Sequence, residues 1–120
     1  MKIKIHELNG FRIAEVIAEE ILIENLQDGL QLLVDLYYQD FGKIIIYGKN
    51  LTSEFFDLKI GLAGDILQKF SNYRVRLIIV GDFSIYQGKS IRDFIYETNK
   101  NQQVNFVANT EEALKRLSQT

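Results

Sequence analysis

The sequence of 120 residues contains no cysteine, no proline and no tryptophan, and it has one histidine, His6. Without cysteine the chain offers no disulfide, no thiolate metal site and no cysteine nucleophile. No apolar run reaches the roughly 18–20 residues that a membrane-spanning helix needs. The first ten residues alternate between polar and apolar, where a signal peptide would be continuously apolar. We therefore expect a cytoplasmic protein that makes no contact with a membrane.

Acidic and basic residues are nearly balanced, with 16 of the first kind and 14 of the second, and the formal charge is −2. These totals do not favour a nucleic acid as partner. The densest basic cluster is "YRVR" at Tyr73–Arg76. Two interpretations of this cluster stay open, the solvated ends of an apolar strand and a phosphate-binding patch.

Apolar residues are plentiful, at 47% of the chain with eight phenylalanines and six tyrosines. A chain of this length matches one ordinary domain, since domains cluster at roughly 100–150 residues. We therefore expect residues 1–120 to form a single domain that folds around its own core. The lone histidine, His6, lies on an early alternating segment far in sequence from other candidate residues, and we expect it to be structural.

Two antiparallel strands are predicted at the start of the chain. The segments "KIKIHEL" and "FRIAEVIA" both alternate, and Asn9-Gly10 between them is a strong signal for a hairpin with a type I′ turn. Helical spacing then follows in "IENLQDGLQLLVDLYYQD", with Gly42 at its exit. The continuously apolar "KIIIYG" is typical of a strand that is buried on both faces of a parallel sheet.

The rest of the chain alternates between helix and strand. Further strands are predicted in "VRLIIVGD" and "VNFVA", a helix in "SIRDFIYETNK" with Ser90 as N-cap, and a last helix in "EEALKRL" with Asn109 and Glu112 as a capping box. The order β-β-α-β-α-β-α-β-α predicts an α/β fold, in which an N-terminal hairpin continues into a mixed, mainly parallel sheet packed by helices. Strands 43–48 and 75–81 should pair in parallel.

One amphipathic helix is predicted over Phe55–Phe70, "FFDLKIGLAGDILQKF", and it contains two glycines. Each glycine inside a helix costs about 0.8–1 kcal/mol relative to alanine, which indicates that something approaches the backbone closely. On this helix a seam with little side-chain bulk consists of Asp57, Gly61, Gly64 and Gln68. Either a neighbouring helix of the same fold packs against the seam, or an external partner does.

The segment "FFDLKIGLAGDILQKFSNYRVRLIIVGDFS", with "QDGL" upstream and "SIRDFIYETN" downstream, closely resembles an uncharacterised bacterial domain family. The predicted topology resembles the STAS domain, the fold of sulfate transporters and anti-sigma-factor antagonists. The resemblance implies a regulatory module in which a partner kinase phosphorylates a serine at a helix start. In this sequence Leu58 and Lys59 occupy the expected serine positions. Thr52 and Ser53 lie just upstream, where N-capping is their simplest role.

A ligand could bind beyond the carboxyl ends of the parallel strands, where ligands usually bind in α/β sheets. The candidate ligand residues in these loops are Lys49, Asn50, Thr52, Ser53, Asp82, Ser84, Lys89 and Ser90. None of them forms a recognisable nucleophile with its base, and no nucleotide-binding glycine motif occurs. The sequence therefore predicts no catalytic residue, no metal and no cofactor.

Two functions remain at this stage. The first is a non-enzymatic regulatory or protein-interaction module of STAS type that lacks the usual phosphoserine. Its partner would be an unidentified protein or a second copy of the chain. The alternative is a protein that binds a small polar or anionic ligand in the strand-end loops, or an enzyme that uses these loops. A deep polar pocket formed by Lys49, Asp82 and Ser84 would favour the alternative.

Overall fold

The chain opens with two antiparallel strands joined by a tight turn at Asn9 and Gly10. The structure is a computed structural model and describes residues 1–119. The strands are β1 (Lys2–Leu8) and β2 (Phe11–Ile17). Asn9 and Gly10 have positive φ angles of 52° and 81°, as a type I′ turn requires. The predicted hairpin is confirmed.

Helices and strands alternate after the hairpin. They are α1 (Leu26–Tyr37), β3 (Lys43–Tyr47), α2 (Leu62–Tyr73), β4 (Arg76–Val80), α3 (Lys89–Thr98), β5 (Val104–Val107) and α4 (Thr110–Leu117). The strands form one sheet in the order β1-β2-β3-β4-β5, antiparallel between β1 and β2 and parallel elsewhere. Lys43 pairs with Arg76 and Tyr47 with Val80. The predicted α/β architecture and the parallel pairing of β3 with β4 are confirmed.

Helices cover both faces of this sheet. Side chains of α1, α2 and α3 pack on one face, against residues that include Ile44, Ile46, Leu77 and Phe106. On the opposite face, Ala113 and Leu117 of α4 pack against Ile13, Ile45 and Ile78. Strands β2, β3, β4 and β5 lie in the sheet in their sequence order. Because all three crossovers between them run in the same direction and are of one hand, α1, α2 and α3 lie on the same face.

A glycine of α1 permits close packing between α1 and α2. A Cβ atom at Gly29 would lie only 3.1 Å from Cδ1 and 3.2 Å from Cγ1 of Ile66. Ile66 is 1% exposed and belongs to the main core. The glycine that permits close helix packing is therefore Gly29. The sequence pattern had instead indicated close packing at Gly61 and Gly64.

The prediction of one helix over Phe55–Phe70 is wrong for the first half of this segment. Ser53–Phe56 forms a short 3₁₀ turn, and α2 begins only at Leu62. Gly61 has a φ of 84°, in the left-handed region, so a regular helix cannot run through it. The apolar spacing of the preceding residues fitted a helix, but Ile60 is 52% exposed because it lies outside the helix that packs on the sheet.

Of the two predicted N-caps, the one for α4 is confirmed and the one for α3 is wrong. Gly88 is the N-cap of α3, and Ser90 already lies in the first turn, so the prediction of Ser90 as N-cap is wrong. The helix starts two residues earlier than an N-cap at Ser90 implies, because Lys89 is already its first helical residue. Asn109 caps α4 as predicted, since its side-chain oxygen accepts a hydrogen bond from the Glu112 N–H at 2.8 Å.

Candidate functional site

Irregular loops follow the carboxyl ends of β3 and β4, and they carry most of the predicted site residues. The first contains 3₁₀ turns at Gly48–Asn50 and Ser53–Phe56, and the second contains one at Phe83–Ile85. Phe56 from the first loop stacks on Tyr86 from the second, with ring centroids 4.4 Å apart and planes inclined by 20°. This aromatic contact holds the two loops together.

An open cleft of about 680 Å³ lies between these loops and the start of α3. Its apolar lining comes from Phe56, Leu58, Tyr86 and Ile91, and its polar lining from Ser53, Asp57, Lys59 and Ser90. Burial raises the pKa of the Tyr86 phenol, so this hydroxyl is protonated at neutral pH. The fold thus brings Ser53 and Ser90, which were predicted from separate loops, to one cleft.

Two of the predicted lysines form local ion pairs on the surface. Lys49 Nζ lies 3.5 Å from a carboxylate oxygen of Glu19, and Lys89 Nζ lies 2.7 Å from a carboxylate oxygen of Asp93. All four side chains are more than half exposed, and such pairs are worth little in stability. Each lysine is therefore paired with a neighbouring carboxylate. Neither lysine is among the residues that line the 680 Å³ cleft.

Asp82 forms a small turn with Ser84. One carboxylate oxygen of Asp82 accepts hydrogen bonds from the Ser84 hydroxyl at 2.5 Å and from its N–H at 3.1 Å. These bonds hold the pKa of the Asp82 carboxyl below its usual value. Asp82 and Lys49 line a cavity of about 320 Å³ whose other walls include Phe56, Phe83 and Tyr86, and Ser84 is outside that lining. The structure does not bring Lys49, Asp82 and Ser84 together in a deep polar pocket.

Asn50 and Thr52 bond to the surrounding backbone. The Asn50 side chain is fully buried, and its amide nitrogen donates to the carbonyl oxygens of Ala18 and Glu20, both at 2.9 Å. Its Oδ1 atom has no partner among residues 1–119. The Thr52 hydroxyl accepts a hydrogen bond from the Glu54 N–H at 3.4 Å, so Thr52 caps the 3₁₀ turn that follows it. These contacts fix the path of the loop after β3.

The four candidate interaction residues do not share one helical face. Asp57 lines the cleft, Gly61 precedes α2, and Gly64 lies in the first turn of α2. Gly64 and Gln68 line a shallow cavity of about 290 Å³ next to Asn101 and Gln103. A Cβ atom at Gly64 would meet no atom within 4 Å. Among the described residues nothing packs closely on Gly64, so of the two interpretations of the seam the one with a neighbouring helix is wrong at this position.

Sequence reasoning missed a hydrogen-bonded cluster on the α4 face of the sheet. Glu15 is only 7% exposed, and its carboxylate contacts His6 Nε2 at 2.8 Å and the Tyr47 hydroxyl. The Tyr47 hydroxyl also lies 2.7 Å from the Thr110 hydroxyl at the start of α4. The cluster therefore joins β1, β2, β3 and α4.

The environment of Glu15 favours its charged form. Burial works to raise the pKa of the Glu15 carboxyl, but hydrogen bonds from Tyr47 and His6 outweigh it and hold the pKa below its ordinary value. Lys4 pairs with Glu15 across the hairpin, and His6 pairs with Ile13, so His6 lies diagonally opposite Glu15. The Asn-Gly turn fixes this register, and the sequence therefore held a signal for the His6–Glu15 contact.

No group of three or more histidine, aspartate or glutamate side chains in residues 1–119 is arranged to hold a metal ion. Across the same residues, no helix has the length and apolar character needed to span a bilayer.

Comparison with known proteins places the fold. The profile of a family described as "Domain of unknown function (DUF4180)" matches residues 8–117. The structure is similar to that of a Thermotoga maritima protein described as a "putative anti-sigma factor antagonist", with a TM-score of 0.50, 15% sequence identity, and coverage of 98% of this chain and 94% of the other. At this identity the likeness shows the fold alone. No curated protein sequence matches the chain. The expected resemblance to a family of unknown function with a STAS-like fold is confirmed.

Proposed function

We propose that this chain, which belongs to the DUF4180 family of domains of unknown function, is a non-enzymatic regulatory module that binds a protein partner. The STAS-like fold supports this proposal, because the structural neighbour is described as a "putative anti-sigma factor antagonist", and that description names a protein as its target. The proposed interaction surface comprises the loops after β3 and β4 and the exposed start of α2, including Asp57, Gly61, Gly64 and Gln68.

The observation that carries the proposal is the exposure of large apolar side chains on these two loops. Ile60 is 52% exposed and Ile85 is 66% exposed. The same loops form the cleft with Leu58 and the stacked rings of Phe56 and Tyr86. Contiguous apolar patches on a protein surface mark interaction sites. Ile85 extends the apolar lining of the cleft, because it lines a cavity with Phe56 and Tyr86, and Ile60 directly follows the cleft residue Lys59. A partner that covers this edge of the sheet would remove them from water.

The polar groups of these loops support a binding role more than a catalytic one. Lys49, Asp82 and Lys89 each bond to a near neighbour on the surface. General acid–base or nucleophilic catalysis needs a reactive group and its partner within hydrogen-bond reach of one substrate position. The serines of the cleft, Ser53 and Ser90, form no hydrogen bond with a histidine or a carboxylate of the described residues.

We expect the module to work without phosphorylation in the loop that precedes α2. Leu58 and Lys59 stand where STAS domains carry serines, and both line the cleft. Thr52 and Ser53 are the nearest hydroxyls upstream, and Thr52 already caps a turn. Phosphopeptide mass spectrometry of protein purified from its host checks this expectation. Stoichiometric phosphate on Thr52 or Ser53 would contradict it.

Affinity capture with matched surface variants tests the proposed interaction. Ile60→Ser and Ile85→Ser each remove one exposed apolar side chain from the proposed surface, and Ile5→Ser removes one that is 50% exposed on β1. We expect a specific protein to be retained from host lysate by the wild type and by Ile5→Ser, and retained less by the other two variants. The interaction is then measured with the purified partner by calorimetry. Equal retention by all three variants contradicts the proposed surface.

A small-ligand binder is the second candidate, and the size of the cleft favours it. Its volume of about 680 Å³ falls within the roughly 300–1,000 Å³ of typical ligand pockets. Ser53, Lys59 and Ser90 could orient a polar or anionic ligand there. Amide chemical-shift perturbations confined to residues 53–59 and 86–91 on adding a compound library would support this function. Sedimentation of the purified chain separately tests whether the partner is a second copy.

A further inference from the structure

A small polar cavity lies at the opposite end of the strands from the cleft. It has a volume of about 210 Å³ and is lined by three cationic side chains, Arg76, Lys100 and Arg116. Arg76 is the first residue of β4, Arg116 lies in the last turn of α4, and Lys100 follows α3. The remaining lining is amide-rich and includes Gln102 and Asn105. Three separate parts of the chain thus bring positive charge to one partly open cavity.

Arg76 uses only part of its hydrogen-bonding capacity within the protein. Its Nε donates to the Gln102 carbonyl at 2.6 Å, and its Nη1 donates to the Arg116 carbonyl at 3.3 Å. A guanidinium group has five N–H donors. The other three donors of Arg76 find no acceptor among residues 1–119. They remain available to a ligand or to water.

Positive charges accumulate around Arg76. Burial and the nearby charge of Arg116 lower the pKa of Arg76, and burial and the charge of Arg76 lower the pKa of Lys43. Lys43 donates to the Leu117 carbonyl at 2.5 Å, so this lysine caps the end of α4. Capping of the carbonyl groups at the end of α4 accounts for the position of Lys43 and for the bond from Arg76 to the Arg116 carbonyl. It does not explain why two arginines and a lysine line the same cavity.

Two of the three cations have a carboxylate partner within the described chain, and Arg76 has none. Glu112 lies 3.7 Å from Arg116, and Glu97 lies 3.2 Å from Lys100. The Glu97 side chain is 67% exposed and the Glu112 side chain is 43% exposed, and ion pairs at the surface contribute little to stability. No carboxylate among residues 1–119 forms an ion pair with Arg76.

We propose that the cavity lined by Arg76, Lys100 and Arg116 binds a compact oxyanion of the phosphate class. Planar guanidinium groups match the oxygens of phosphate in paired hydrogen bonds. The side-chain amides of Asn101 and Gln102 also line the cavity and add further N–H donors. The volume leaves room for several waters, at about 30 Å³ each, and is below the roughly 300 Å³ at which typical ligand pockets begin. The ligand is therefore free phosphate or a small molecule that inserts a phosphoryl group. This site goes beyond the proposed function, because its ligand is a small oxyanion and not a protein. The cavity adjoins the Gly64 and Gln68 end of the proposed interaction surface, since Asn101 lines both places.

Calorimetric titration of the full chain tests the site with inorganic phosphate and with phosphoserine, at constant ionic strength set by chloride. Arg116→Gln removes one cation from the cavity, and Lys100→Gln is a second variant should the first fold poorly. Arg74→Gln is the matched control, because it removes the same charge from an exposed position outside the cavity. Loss of one charged hydrogen-bond donor is expected to weaken binding about tenfold. The control should bind as the wild type does.

The site of binding is read from the side-chain Nε resonance of Arg76 and the amide resonances of Gln102 and Asn105. These should shift on titration with either anion and should not shift with chloride. Tighter binding of phosphate identifies the free anion as the ligand, and tighter binding of phosphoserine identifies a phosphorylated molecule. The proposal is overturned if neither anion shows saturable binding, or if Arg74→Gln weakens binding as much as Arg116→Gln does.

Discussion

Replacing Gly61 and Gly64 by alanine, one at a time, separates two uses of glycine that lie three positions apart. Gly64 lies in the first turn of α2 with ordinary helical geometry, and a Cβ atom there would meet nothing within 4 Å. Gly61 also has open space around its Cβ position, but its φ is 84°. The two substitutions add the same methyl group, so their effects on stability differ only through the backbone.

The expected changes have opposite signs. Alanine at position 64 gains helix propensity and should raise the free energy of unfolding by about 0.5–1 kcal/mol. Alanine at position 61 must adopt the left-handed conformation, which costs about 1–2 kcal/mol. The two variants should therefore differ by about 1.5–3 kcal/mol. Gly61→Asn should recover part of the loss, since asparagine visits this conformation more readily than alanine does.

Urea unfolding measures both variants, followed by circular dichroism and by tyrosine fluorescence, because the chain has no tryptophan. With a denaturant slope of about 1–3 kcal/mol per molar urea, the two midpoints should be separated by about 0.5 M or more. A clear loss of stability in Gly64→Ala would refute the reasoning, because it would mean that some part of the molecule packs against this position. A Gly61→Ala protein as stable as the wild type would refute the left-handed backbone at residue 61.

Three further substitutions test other contacts of the structure. Glu15→Gln should lower the free energy of unfolding by about 1–3 kcal/mol at pH 7. Because the pKa of Glu15 is lowered in the folded state, the stabilisation that its charged form provides should fade as the pH falls below the ordinary pKa of 4.5. Urea unfolding of wild type and variant at pH 7 and at pH 3 measures both effects. A loss that is the same at both pH values would contradict the assignment. Asn50→Ala should destabilise by about 2–4 kcal/mol, since it leaves two backbone carbonyls without their donor; thermal unfolding measures this, and an unchanged midpoint would show that Asn50 is not structural. Gly29→Ala should lower stability, because overpacking against Ile66 costs about 1–3 kcal/mol and outweighs the gain in helix propensity; a more stable variant would mean that Ile66 moves aside freely.

Local signals in the sequence predicted most of the fold. Asn9-Gly10 determined the first turn and with it the register of β1 and β2. The continuously apolar β3 and β4 indicated a sheet covered on both faces, and the two cores of the structure confirm it. The failure at Phe55–Phe70 has a local cause, because apolar spacing cannot distinguish a helix from a 3₁₀ turn followed by a left-handed glycine.

The candidate sites depended more on tertiary structure. Ser53 and Ser90 were expected at one edge of the sheet, and both line the cleft there. The stacking of Phe56 on Tyr86 could not be predicted from either loop alone. The cavity lined by Arg76, Lys100 and Arg116 was likewise not predictable from local sequence. Arg76 stood out within a basic cluster, whereas Arg116 belongs to an ordinary amphipathic helix and reaches Arg76 only because α4 crosses the far face of the sheet.

The position of α4 on its own face of the sheet has a consequence for synthesis on the ribosome. The hairpin and the first helices emerge early and can bury their apolar side chains against one another as they appear. Ile13, Ile45 and Ile78 are covered by Ala113 and Leu117, which are translated much later. Until α4 emerges, nascent chains present a bare apolar sheet face of the kind that aggregates or recruits chaperones. Expression should therefore be sensitive to changes in α4, even where the remaining core is intact.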